Sequence, residues 1–67
     1  MTNEIKLNDL YPVLMELIHS TNYGINKIKL NNYSLYFLEV NSNIIINDEE
    51  EHIDYLFRIF DHHYNDQ

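Results

Sequence analysis

The chain predicts a small α+β domain of order α-β-β-β-α, a three-stranded antiparallel meander with two helices, and three observations carry that expectation. An apolar stripe at helical spacing follows Asn8 and Asp9. Apolar runs broken at Asn31-Asn32 and at Asn41-Ser42-Asn43 occupy the middle of the chain. At residues 47–54 an apolar run ending at Ile46 gives way to four consecutive acids, Asp48-Glu49-Glu50-Glu51, and then to a second helical period.

Taken in order, residues 1–7 have no clear period and read as an arm whose Ile5 and Leu7 can dock. From an N-cap at Asn8 or Asp9, Leu10, Val13, Leu14, Leu17 and Ile18 recur at i, i+3, i+4, i+7 and i+8, the stripe of a core-facing helix. Pro12 falls in the first turn, where the N–H groups lack intrahelical acceptors anyway. Gly24, the single glycine, stands just past the stripe, where a helix stop or loop uses φ > 0. Residues 25–30 and 33–40 then read as strands joined by a two-residue hairpin loop, and Ile44-Ile45-Ile46 as a third, β-branched strand. Pairing Leu30 with Tyr33 puts Ile28, Leu30, Tyr33, Leu35, Phe37, Ile44 and Ile46 on one sheet face. The other face holds Ile25, Tyr36, Leu38, Val40 and Ile45, too apolar for a solvated surface, and is the expected face of a homodimer unless a helix covers it. The last helix opens with Asp48 as N-cap and Glu51 closing an Asp version of the capping box. Ile53, Leu56, Phe57, Phe60 and Tyr64 mark its core face, Asp54 and Arg58 form an i, i+4 ion pair, and residues 65–67 fray.

Sixty-seven residues make a single domain, 1–67, at a length where only about 60% of the chain's surface is buried on folding, so a dense core or a partner is required. Eleven acids against four basic side chains give a formal charge of -7, which repels phosphate backbones and favours basic protein partners over direct nucleic-acid contact. The absence of cysteine excludes disulfides and thiol chemistry and fits a reducing, cytoplasmic setting. No apolar run approaches a membrane span, and the first residues lack a basic signal start. With no alanine and abundant Asn, Ile and Tyr, the composition matches the codon bias of a low-GC bacterium, or of a phage or plasmid living in one.

Enzyme motifs are missing: there is no glycine-rich phosphate loop, nucleophile elbow or His-Glu-x-x-His, so no catalytic residue and no cofactor are expected. His62 and His63 are adjacent and point about 100° apart on a helix, which does not converge them on one metal. Tyr11, Met15 and Ile18 form a second ridge on the first helix, a secondary candidate contact surface. The strongest candidates are the acids. Acids in a first turn favour the helix dipole, which is reason enough for some of them. Glu50, Asp54 and Asp61 nevertheless fall at about 60°, 100° and 80° around the helix from Ile53, a flank stripe roughly 16 Å long. A rigid row of carboxylates can occupy a basic cleft that otherwise holds phosphates. Glu49, Glu50, Glu51, Asp54 and Asp61 are therefore the expected partner-binding residues.

An Asn8-Asp9-Leu10 helix start, a three-strand meander and an acid-capped helix together resemble small acidic phage-encoded inhibitors, notably anti-CRISPR proteins that act on Cas9, from Asn8 to Phe60. The resemblance implies a sheet with flanking helices and occupation of a DNA-binding, PAM-reading surface by carboxylates, a general role that carries over to Glu49, Glu50, Glu51 and Asp54. This chain departs from that pattern in having no further acidic helix after the second. The expectation is thus a non-enzymatic phage or mobile-element inhibitor acting in the host cytoplasm on a basic host protein, a CRISPR nuclease being one such target. The alternative is a small homodimeric adaptor or regulatory protein that associates through the second sheet face.

Overall fold

The computed structural model describes residues 4–43 and 47–65. A single 3-10 turn, Leu7–Asp9, leads into three α-helices: α1 (Leu10–Ile18), α2 (Tyr23–Val40) and α3 (Asn47–Asn65). The described residues are 83% helical and include no strand, so the expected α+β meander is replaced by a small all-helical fold. The putting-together of Ile44, Ile45 and Ile46 as a third strand lies outside the described residues.

The two outer helices form as their periodicity predicts. Leu10, Leu14, Leu17 and Ile18 of α1 are buried, with Val13 packed against them, and Pro12 sits in the first turn. Ile53, Leu56 and Phe60 of α3 complete the core, flanked by Phe57 and Tyr64. In both helices the apolar stripe faces the core, the arrangement that lets tertiary burial decide the structure.

The middle of the chain is where the expectation fails. Residues 25–30 and 33–40 are consecutive turns of α2, and Asn31-Asn32 is an exposed stretch of helix surface in place of a hairpin loop. Asn has a helix propensity at most about 0.7 kcal/mol worse than Ala, a cost that burial of Leu30 and Phe37 exceeds several-fold at about 1.5–3 kcal/mol per side chain. The buried stripe of α2 runs Asn26, Leu30, Ser34, Phe37 and, just past the helix end, Asn41. Three of those five are polar, so the apolar residues of this segment do not trace its buried face. Of the expected sheet-core residues that are described, Leu30 and Phe37 are buried and Ile28, Tyr33 and Leu35 are exposed. With no sheet there is no second sheet face: Ile25 and Tyr36 are exposed on α2, while Leu38 and Val40 are half-buried, Leu38 against the core.

Local signals were also reassigned. Gly24 is the second residue of α2 and has no positive φ; Asn22 starts that helix by accepting a hydrogen bond from Ile25 N–H at 3.1 Å. Asp9 precedes α1 without capping it, its carboxylate accepting instead from Lys6 N–H at 3.3 Å. The arm docks as expected through Ile5 and Leu7, and Asn41 pins it: its amide donates to the carbonyls of Ile5 and Phe37, both at 2.9 Å, and accepts from Ile5 N–H at 3.2 Å. The molecule is elongated, with principal extents of 41 × 20 × 16 Å.

Candidate acidic surface on the third helix

α3 begins at Asn47, which places Asp48, Glu49 and Glu50 in its first turn, so Asp48 is the second residue of the helix and not its N-cap, and the expected capping box with Glu51 is not adopted. There the partial positive charge of the helix N-terminus favours them. Glu50, Glu51 and Asp54 are exposed. Glu49 is half-buried because it lies only about 40° from Ile53 around the helix, and its Oε2 is covered without a protein partner.

Asp61 belongs to a different environment. Its carboxylate forms an ion pair with Lys27 and accepts a hydrogen bond from the Tyr23 hydroxyl at 2.7 Å, which ties the start of α2 to the last turns of α3. The Lys27 hydrogen bond first, then the Tyr23 hydrogen bond, hold this carboxyl below its ordinary value of 3.8 against an opposing desolvation. Asp61 in turn raises the Tyr23 hydroxyl above 10.0, through that hydrogen bond foremost. Lys27 also sits 5.0 Å from the centroid of the Phe57 ring, and Tyr23 stacks on Phe60 at 5.6 Å. The expected stripe is therefore divided: Asp61 holds the helices together, while Glu50 and Asp54 are left for contact with something else.

The anticipated Asp54–Arg58 pair is not made. Among the described residues the one ion pair is Lys27–Asp61, and the Arg58 guanidinium lies 6.0 Å over the Tyr55 ring. Glu51, Asp54 and Arg58 line a shallow open depression on the helix surface. Among the described residues, no cation lies within ion-pair distance of the acids at the head of α3.

The histidines have separate surroundings. His52 is hydrogen-bonded to the Tyr11 hydroxyl across the α1–α3 contact, and His63 packs edge-on against Tyr64 at 5.1 Å. Among the described residues no three His, Asp or Glu side chains come together as a metal site. Of the Tyr11, Met15, Ile18 ridge, Ile18 is buried, Tyr11 is engaged with His52 and only Met15 is left exposed. No described helix is long and apolar enough to cross a membrane.

Reading by residue type missed Tyr23 and Lys27, the partners that engage Asp61, because their placement depends on how α2 packs. Comparison with protein-family models, with curated proteins and with solved structures finds no match.

Proposed function

We propose that the chain is a non-enzymatic inhibitor of the phage or mobile-element kind, acting in the host cytoplasm by laying the head of α3 on a basic protein surface that ordinarily receives nucleic-acid phosphates. One observation carries this reading: Glu50, Glu51 and Asp54 are exposed, fixed on one helix and without an ion-pair partner among the described residues, on a chain of net charge -7. Desolvated against Lys and Arg, such carboxylates make charge-assisted hydrogen bonds that repay an otherwise unbalanced field. The acids that take part are Glu50, Glu51 and Asp54, with Glu49 at the edge; Asp61 is withdrawn from the set by Lys27 and Tyr23. The choice of a CRISPR nuclease among nucleic-acid enzymes rests on the resemblance alone, and the sheet implied by that resemblance is not the fold adopted.

The test is capture from the lysate of a low-GC bacterium on the immobilised chain, with the bound proteins identified and a purified CRISPR nuclease as a separate arm. The wild type is expected to retain a basic nucleic-acid enzyme, and to lose it as salt rises and exposed charges are screened. Glu50→Lys combined with Asp54→Lys should abolish retention while far-UV circular dichroism shows the helices intact. Equal retention by the charge-reversed chain would sink the proposal.

A further inference from the structure

We infer that the outward face of α2 is a self-association surface whose occupant is a second copy of this chain. The inference does not rest on the acidic reading, because it concerns a different helix.

α2 is apolar on both sides. Its inner stripe buries Leu30 and Phe37, but also Asn26 and Ser34, whose Nδ2 and Oγ find no hydrogen-bond partner. Its outer side exposes Ile28 (62%), Leu35 (55%), Ile25 and Tyr36. Among the described residues, α1 and α3 cover one side of this helix and leave these four apolar side chains exposed on the other.

The outer residues are also ordered. Ile25, Ile28, Asn32 and Leu35 follow one another at intervals of three, four and three, the spacing of a helix–helix seam, with a single polar Asn in the interior of the pattern. An asparagine at such a seam position can hydrogen-bond its counterpart and fixes the register of a pair at some cost in stability.

The two complementary parts of an isologous contact lie side by side. Next to the Ile28–Leu35 ridge, an open groove of about 520 Å³ runs between α1 and α2, its apolar walls made by Val13, Leu17, Tyr33 and Tyr36 and its polar edge by Glu16, Lys29 and Asn32. A two-fold axis beside Asn32 would set the ridge of each copy toward the groove of the other. Charge permits it as well. A two-fold axis beside Asn32 places Lys29 opposite Leu35 and Glu39 opposite Ile25 of the other copy, so no like charges meet in the antiparallel crossing, whereas a parallel one sets the two Glu39 side chains against each other. A basic partner would be drawn to α3, not here.

Area leads to the same occupant. The exposed parts of Ile25, Ile28, Tyr33, Leu35 and Tyr36 amount to roughly 500–600 Å² per chain, at the upper end of the roughly 300–600 Å² that a typical monomer leaves in one patch, and two copies together reach the roughly 1,000 Å² of the smallest specific interfaces. The radius of gyration, 12.3 Å, exceeds the roughly 11 Å of a compact globule of this length.

Sedimentation velocity from micromolar to millimolar concentration tests the inference. The wild type should sediment at twice its 8.1 kDa chain mass, and more completely in high salt, which screens the repulsion between two acidic copies. Ile28→Glu with Leu35→Glu should weaken association by at least about a hundredfold, whereas charge reversal at Glu50 and Asp54 should leave the mass unchanged. If the Glu variant does not fold alone, the natural lack of cysteine provides a second readout: oxidised Asn32→Cys should cross-link into dimers at concentrations where Thr21→Cys, in the exposed α1–α2 turn, does not. A wild type that stays monomeric throughout, including one that captures a different protein on α2, or equal cross-linking of the two cysteine variants, would overturn the inference.

Discussion

Replacing Asn41 by Ala removes a buried amide that joins three parts of the chain. Asn41 is 2% exposed; its Nδ2 donates to Ile5 and Phe37 carbonyls at 2.9 Å each, and its Oδ1 accepts from Ile5 N–H at 3.2 Å. At a net 0.5–1.5 kcal/mol per hydrogen bond, the loss is about 2–4 kcal/mol. The Ile5 backbone groups are only part-buried and can find water, which argues for the lower half of that range. For a domain of this size each kcal/mol moves the melting temperature by about 4–8 °C, so Asn41→Ala should lower it by roughly 10–20 °C. Thermal and urea unfolding followed by far-UV circular dichroism, at equal protein concentration, measure the change. Asn41→Asp keeps the acceptor for Ile5 N–H but sets a buried carboxylate oxygen against the Ile5 and Phe37 carbonyls, and should be at least as destabilising as Ala. Hydrogen exchange adds a local readout, with protection at Ile5 N–H lost before that of the α3 core. A deficit under about 0.5 kcal/mol would refute the assignment of Asn41 as the pin of the arm, since it would equal a routine surface change.

Two further outcomes follow from the same packing. Ser34→Ala removes a buried hydroxyl with no partner and gains helix propensity, so it should stabilise the chain by about 1 kcal/mol in urea titration, and a loss of stability would show that Ser34 has a partner after all. Asp61, whose folded-state pKa is depressed, contributes stability that is present above its ordinary value of 3.8 and is lost as pH falls through the folded value; because its side chain is 39% exposed, the gap between wild type and Asp61→Asn should be under about 1 kcal/mol at neutral pH and close as the solution is acidified below 3.8.

The amino-acid sequence by itself determined α1 and α3, because Leu10, Leu14, Leu17 and Ile18, and likewise Ile53, Leu56 and Phe60, repeat at the helical period. It also placed the acids of residues 48–51 at the head of a helix. Tertiary structure alone decided α2. Its buried stripe mixes Leu30 and Phe37 with Asn26, Ser34 and Asn41, and its outer side carries Ile25, Ile28 and Leu35, so neither period dominates, and a half-buried strand and a helix with apolar residues on both sides then read alike. The same packing decided which acids face solvent. Asp61 and Glu50 share a flank in the primary sequence, but Lys27 and Tyr23 arrive on Asp61 only once α2 lies along α3, and no local pattern encodes an encounter between residues more than thirty positions apart.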